Sequence, residues 1–167
     1  MFHVLVGLAM ASDPLPDRLW AFDIGPAVTP LDYLGGGASL ERMIQLKESQ
    51  YLSVMLDYHG GYALRWGDGK NLWNGTLGLR TFQPWGDGKY LTGHAGLSAG
   101  KMLSTRGYQW RFAGVTATGG FYTPRDNGRL VGWDAGLMLT RHVPTPNAPN
   151  SGTHTNIVLD VRGVVAF

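Results

Sequence analysis

The sequence has no cysteine, few charged residues and no long hydrophobic run, and each absence excludes a class of protein. Without cysteine there can be no thiol nucleophile, thiolate metal site or disulfide. Charged residues make up 16% of the 167 residues, whereas ordinary soluble domains contain about 25%. No stretch approaches the roughly 18 consecutive apolar residues of a membrane-spanning helix. Basic residues are not clustered along the chain, so nucleic acid is not an expected partner.

The sequence is rich in glycine and in aromatic residues, with 25 glycines and 11% Phe, Trp and Tyr. Apolar and polar residues alternate over eight segments that are separated by turn residues. In the last segment, Leu159 and Val161 fall on one face, and Asp160 and Arg162 fall on the other. A period of two predicts a β-strand with one apolar face. The predicted strands lie near 18–29, 34–46, 50–66, 71–84, 89–105, 108–124, 129–143 and 154–167.

Turns rich in Gly, Asp, Asn or Pro separate the predicted strands. The pentapeptide Trp-Gly-Asp-Gly-Lys occurs at 66–70 and again at 85–89, and Asp-Asn-Gly occupies 126–128. An Asp-Gly pair between alternating segments predicts a tight hairpin, because such turns need residues with positive φ. We therefore expect residues 18–167 to form one β domain. Residues 1–17 precede it as a leader-like or periplasmic N-terminal segment.

Two segments depart from simple alternation. Pro26 cannot donate to a β-ladder, so we expect a bulge or an early strand end there. In the sixth segment, Trp110 and Phe112 lie on one face, but Ala113 and Val115 lie on the other, and a bulge near Gly114 or at 119–120 could switch the faces. Aromatic residues near the strand ends predict two interfacial girdles. Their members are Trp20, Trp66, Trp73, Trp85, Tyr90, Tyr108, Trp110 and Tyr122.

The composition of the polar face indicates which side of the sheet is inside. A soluble barrel needs an outer surface rich in Lys and Glu, but here the polar face holds scattered single charges of both signs. Nearly balanced charges suit a narrow lumen, where buried charges must pair. We therefore expect an all-β fold, an eight-stranded antiparallel up-and-down transmembrane β-barrel with a polar, side-chain-filled lumen. The expected luminal charge network is Asp23, Glu41, Asp57, His59, Arg65, Arg80, His94, Arg111, Asp134, Asp160 and Arg162.

The whole pattern over 18–167 resembles the small eight-stranded outer-membrane barrels of the OmpA/OmpX type. The resemblance extends to the C-terminal assembly signal of that class, which Gly163, Val165 and Phe167 match, with the glycine displaced by one position. It implies a location in the bacterial outer membrane, in a Gram-negative cell envelope, with both termini periplasmic. Outer-membrane lipid, the barrel assembly machinery and other envelope proteins are the partners that it implies.

A non-enzymatic role follows from this interpretation. The predicted external loops are short, which favours a structural scaffold, an anchor or a subunit of an envelope complex, with at most a narrow, porin-like pore. The alternative is an outer-membrane enzyme that modifies the acyl chains of lipid A. Its candidate nucleophiles and bases are Ser98 with His94, and Ser151 with His142 or His154. Ser98 and His94 lie about 13 Å apart along an extended strand, too far for direct contact.

A soluble ligand-binding barrel and a metal site are the remaining alternatives. His59 and His94 could meet across the lumen, but neither belongs to a motif with metal-ligand spacing. We expect hydrogen-bonded luminal histidines, no metal and no cofactor.

Overall fold

Eight antiparallel strands make up most of the computed structural model, which describes residues 15–29, 33–64, 67–86, 88–148 and 152–167. None of these residues belongs to a helix long and apolar enough to span a membrane. The strands are β1 (Arg18–Thr29), β2 (Tyr33–Lys47), β3 (Gln50–Ala63), β4 (Asp68–Trp85), β5 (Lys89–Ser104), β6 (Gln109–Pro124), β7 (Leu130–Pro144) and β8 (His154–Ala166).

The strands form a closed barrel in chain order. Each strand pairs with the next, and β8 closes the sheet by pairing with β1. At the seam, Trp20 and Phe167 exchange two backbone hydrogen bonds of 2.8 Å. We call the end at which β1 begins and β8 ends the terminal end, and the opposite end the loop end. The predicted all-β, eight-stranded antiparallel architecture is confirmed.

The outer face of the barrel is apolar and the inner face is largely polar. Leu56 and Leu77 are 65% and 58% exposed, whereas Asp57 and Arg80, on the opposite rows of the same two strands, are only 6% and 1% exposed. A soluble barrel would show the opposite arrangement, with leucines inside and charges in water. The arrangement here is that of a barrel surrounded by lipid.

The two copies of the repeated pentapeptide adopt different structures. In the second copy, Gly88 lies in the turn with φ 71°, as an Asp-Gly hairpin predicts. In the first copy, Gly67 has the positive φ of 58°, and Asp68 already begins β4. The Asp68 carboxylate accepts a 2.6 Å hydrogen bond from the Thr105 hydroxyl of the neighbouring loop. The ladder with β3 already includes Asp68, opposite Ala63, so β4 begins before the position near residue 71 that was predicted.

Pro26 produces neither a bulge nor an early strand end, so that prediction is wrong. β1 pairs with β2 without interruption through Pro26. On its other side, the pairing with β8 is broken between Ile24 and Ala27 and resumes in the same register. The barrel therefore accommodates the missing N–H as a local gap in the seam between β1 and β8.

The predicted bulge in β6 is also absent. β6 pairs continuously with β5 and with β7, so its side chains alternate without a switch. Trp110 and Phe112 point inward, on the same face as Thr116, and Arg111 points outward. The irregularity in the ladder lies instead between Gln45 and Lys47 at the end of β2.

Only part of the predicted aromatic girdle faces outward. Trp20, Trp73 and Trp85 have large exposed fractions on the outer face. Tyr108 is half-buried, and Trp66 lies outside the described residues. The prediction was wrong for three residues whose side chains instead fill the interior: Tyr90, Trp110 and Tyr122.

Candidate functional site

An apolar cluster closes the interior at the terminal end. Its aromatic members pack edge to face, with ring centroids 5.4 Å apart for Tyr51 and Phe82 and 5.6 Å apart for Phe82 and Tyr122. Leu15, just before β1, packs against this cluster from below. The Tyr51 hydroxyl donates a 3.1 Å hydrogen bond to the carbonyl of Pro16. We call this group the floor cluster: Leu19, Ala21, Met43, Tyr51, Phe82, Tyr90, Tyr122, Leu130, Val164 and Ala166.

Arg80 lies above the floor cluster and reaches across the lumen. Its guanidinium forms ion pairs of 2.9 Å with Glu41 of β2 and 2.8 Å with Asp134 of β7. It also donates to the Thr92 and Tyr122 hydroxyls at 3.2 and 3.1 Å. Because β4 is adjacent to neither β2 nor β7, this arginine joins walls that the sheet does not pair. We call these five residues the Arg80 cluster.

Arg162 organises a second cluster nearer the loop end. Its guanidinium pairs with Asp23 at 2.8 Å and with Asp57 at 2.9 Å, and it also bonds to Asp160. The His59 ring nitrogen lies 2.8 Å from the Asp57 carboxylate and 3.0 Å from the guanidinium. We call these five residues the Arg162 cluster. Asp57 lies on β3, which the sheet does not pair with β8, whereas Asp23 lies on the neighbouring strand β1 and Asp160 on β8 itself.

The two clusters contain more acidic than basic side chains. Two guanidinium groups are paired with five carboxylates in the two clusters. Hydroxyl donors supply further hydrogen bonds to these acids: Ser39 donates to Asp23, and Ser53 donates to Glu41. A buried carboxylate needs such donors, because burial of an unpaired charge is costly. The serines therefore act with the arginines in providing hydrogen-bond donors for the acids inside the barrel.

The Ser98–His94 pair considered for catalysis does not form. The Ser98 hydroxyl is instead in the middle of a hydrogen-bonded row, 2.7 Å from the Thr76 hydroxyl and bonded on its other side to Thr116. Neither ring nitrogen of His94 has a hydrogen-bond partner among the described residues. Ser151, the other candidate nucleophile, lies outside the described residues.

A cavity of about 570 Å³ opens at the loop end, above the Arg162 cluster. His142 lies nearby, stacked between Phe112 and His154 with centroids 5.0 Å from each. Polar groups at the cavity include His59, Asp68 and His154. We call this the mouth cavity, and its apolar and aromatic lining is Tyr33, Leu72, Met102, Tyr108, Trp110 and Val158.

The structure places the predicted luminal residues in three groups. Arg111 is exposed on the outer face, so its assignment to the lumen was wrong; it follows the uninterrupted alternation of β6. Arg65 lies outside the described residues. The remaining residues face the interior, and all except His94 belong to the two clusters: Asp23, Glu41, Asp57, His59, Arg80, His94, Asp134, Asp160 and Arg162.

The C-terminal residues of the predicted assembly signal all lie on the outer face. Gly163, Val165 and Phe167 are exposed, and Phe167 is 57% exposed at the terminal end. Among the described residues, no group of three or more His, Cys, Asp or Glu side chains could hold a metal ion. Tyr122 was not predicted as a partner of Asp134, although its place on the inward row of β6 was a usable signal.

Comparisons with known proteins agree with the architecture. No protein-family model matches the chain. No curated protein matches it in a sequence comparison. The crystal structure of Neisserial surface protein A (NspA) is similar, with a TM-score of 0.63, 13% identity, and coverage of 89% of this chain and 94% of that chain.

Two weaker similarities involve larger differences in shape. A major outer membrane protein from Thermus thermophilus has a TM-score of 0.46, 13% identity, and coverage of 91% of this chain and 99% of that chain. The beta domain of the Bordetella autotransporter Brka has a TM-score of 0.43, 16% identity, and coverage of 89% of this chain and 68% of that chain. At these identities the similarity concerns the fold alone, and the fold is that of a small outer-membrane β-barrel.

Proposed function

We propose that the protein is a non-enzymatic β-barrel of the bacterial outer membrane that acts as an anchor or scaffold and has no open pore. The observation that carries this proposal is the filled interior, in which the floor cluster and both arginine clusters occupy successive layers. The apolar outer face supports the membrane location, and the closed ladder pairs the backbone around the barrel apart from the local gap at Pro26.

The filled interior argues against conduction. In an eight-stranded barrel, side chains are just large enough to fill the lumen. Arg80 is 1% exposed and pairs with acids on two other walls, so an ion passing it would have to break those pairs. Below it, the apolar side chains and aromatic rings of the floor cluster offer little that could replace water around an ion.

A scaffold of this kind would interact with outer-membrane lipid along its outer face and with the barrel assembly machinery during insertion. Gly163, Val165 and Phe167 lie on the outer face, where that machinery would recognise them before the barrel closes. Other envelope proteins are the proposed partners of the assembled barrel.

A lipid A acyl-modifying enzyme is the less favoured interpretation. Acyl transfer needs a nucleophile and a base within hydrogen-bond reach. Ser98 bonds to two threonines rather than to His94. His142 bonds to Thr140 at 2.8 Å and stacks against rings on both sides. These contacts support structural roles for the candidate catalytic residues.

Membrane fractionation and planar-bilayer recording together test the proposal. We expect the protein in the outer-membrane fraction and no stable conductance steps after reconstitution. The variant Tyr51→Ala/Phe82→Ala, which removes two rings of the floor cluster, is expected to leak more than wild type. Leu56→Ala/Leu77→Ala on the outer face is the matched control. Regular conductance steps in the wild-type protein would overturn the closed-barrel proposal.

The mouth cavity favours a second candidate function, the binding of a small amphiphile. Its apolar lining, with Leu72 and Met102, lies beside polar groups such as Asp68. Methionine methyl NMR with added decanoate tests this idea. We expect the Met102 signal to shift in a saturable way, while Met43 in the floor cluster stays unchanged. Equal, non-saturating shifts of both signals would reject a defined cavity site.

A further inference from the structure

The acidic residues of the described strands lie on the inner face of the barrel wall alone, whereas the charged residues of the outer face are all basic. In the described strands, the carboxylates all belong to the inward rows, including those of the two arginine clusters. The outward rows of the same strands carry basic residues and no acid. Three of the basic residues lie together on neighbouring strands: Lys101 of β5, Arg111 of β6 and Arg141 of β7. Their positive charge is thus not balanced by any acid on the described outer face.

Register brings the three side chains close to one another. Lys101 is directly opposite Arg111 in the β5–β6 ladder. Arg141 is opposite Ala113 in the β6–β7 ladder, which makes it a diagonal neighbour of Arg111. Like charges directly opposite each other on a sheet are destabilising. An anion bound between them would remove this repulsion.

The three residues lie at one height, near the loop end. Lys101 is close to Ser104, the last residue of β5, and Arg141 is close to Pro144, the last residue of β7. Arg111 is close to Gln109, the first residue of β6. At about 3.3 Å per residue, each side chain emerges within roughly 10 Å of its strand end. That height corresponds to the headgroup layer at the edge of the hydrocarbon.

A surface groove of about 700 Å³ runs between β6 and β7 beside these cations. Arg111 and Arg141 line it together with apolar Ala113, Val143 and Pro144. Farther from the loop end, the outward rows continue with small and apolar side chains. There a second depression of about 520 Å³ is lined by residues that include Val115, Ala117, Leu137 and Leu139. The outer wall thus offers cations at the headgroup level and an apolar trough beneath them.

We propose that Lys101, Arg111 and Arg141 bind the phosphate groups of an outer-leaflet glycolipid, with an acyl chain lying along the β6–β7 groove. Guanidinium groups bind phosphate in a bidentate manner, which favours this headgroup over a neutral one. The proposal rests on the proposed function, because it requires a membrane location with the loop end outward. We call the three residues the outer basic cluster.

Lipid retention by the purified barrel tests the outer basic cluster. Native mass spectrometry would compare bisphosphorylated lipid A, monophosphorylated lipid A and phosphatidylcholine added to the detergent-purified protein. The test variant is Lys101→Gln/Arg111→Gln/Arg141→Gln. The matched control, Lys89→Gln/Arg125→Gln/Arg129→Gln, neutralises three basic residues at the terminal end. Heat-dependent migration on gels checks that every variant is folded.

We expect wild type and control to retain bisphosphorylated lipid A more strongly than either other lipid. The test variant should bind it roughly 100-fold more weakly, since each cation near an anionic surface contributes independently. Equal retention by the test and control variants would overturn the lipid site while leaving the proposed function intact. Absence of the wild-type protein from the outer-membrane fraction would instead overturn the proposed function on which the site rests.

Discussion

Each buried charged residue in the lumen needs a partner of opposite charge. Arg80 satisfies Glu41 and Asp134 at the same time, and no other guanidinium lies in its cluster. Replacing one partner of a buried ion pair leaves an uncompensated charge, which costs far more than the pair itself contributes. Stability should therefore respond strongly to the loss of Arg80 alone and weakly to the neutralisation of the whole cluster.

The first prediction follows from this dependence. Arg80→Met should lower the free energy of unfolding by about 3–5 kcal/mol, because two buried acids lose their counter-charge. The measurement is chemical unfolding in detergent micelles, followed by tryptophan fluorescence. Arg111→Met on the outer face is the control, with an expected change within about 0.5 kcal/mol.

A compensating variant sharpens that test. Glu41→Gln/Arg80→Met/Asp134→Asn removes all three charges and should recover most of the lost stability. If the triple variant is no more stable than Arg80→Met, the loss comes from packing around the long side chain and not from unpaired charge.

At the scale of strands, close curvature makes some inward glycines necessary. A Cβ atom added at Gly114 in β6 would overlap the Leu139 carbonyl oxygen of β7. At Gly163 in β8, the nearest atom to an added Cβ, the Ile24 carbonyl oxygen, is 3.9 Å away. The inner wall of so narrow a barrel brings backbones together, whereas the outer wall leaves room.

The second prediction compares these two glycines. Gly114→Ala should destabilise the barrel by about 1–3 kcal/mol, because the neighbouring backbone must shift. Gly163→Ala should be neutral or slightly stabilising, since alanine restricts the unfolded chain. The midpoint of urea unfolding in micelles measures both. Equal effects of the two substitutions would show that the close approach of the neighbouring backbone does not exclude a Cβ atom at Gly114.

The inward row of a strand could be predicted from the sequence where polar or charged residues occupied one of its two rows. In β3 and β7, single acids such as Asp57 and Asp134 identify the inward row, and both were placed correctly. In β6 the inward row begins with Trp110 and Phe112, so aromatic and apolar residues occupy both rows and no charged residue marks the interior. Counting by twos back from Thr116 would have placed Arg111 outside.

The candidate site was predictable in composition but not in connectivity. The sequence identifies the residues that face inward, but it does not reveal which acid each arginine reaches, since Arg80 bridges strands that are not adjacent. The floor cluster was missed because the same types of aromatic residue, near the ends of strands, also form an interfacial girdle. Only the side of the wall on which Tyr90 and Tyr122 lie distinguishes the two roles.

For the whole molecule, Phe167 contributes to the seam that closes the barrel. Phe167 exchanges two backbone hydrogen bonds with Trp20, and its ring lies on the outer face. Its backbone and its side chain therefore serve different purposes, one in the finished barrel and the other, as proposed above, in assembly.

The third prediction separates those purposes. Phe167→Leu keeps the backbone bonds and should leave in vitro unfolding nearly unchanged, yet it should lower the amount of protein assembled in the outer membrane. Deletion of Phe167 should reduce both. Quantitative blotting of membrane fractions and unfolding of refolded protein are the two measurements. Normal assembly of Phe167→Leu would show that the aromatic ring is not part of the signal.

In the part of the chain that the structure describes, the floor cluster closes the terminal end and the mouth cavity opens at the loop end. Among these residues, a molecule in the mouth cavity has one way out, the route through which it came, because the aromatic layer blocks the opposite end. Its occupancy would follow the concentration on one side of the membrane alone. The barrel could therefore sense or hold a compound without delivering it, and no gradient across the bilayer would be dissipated.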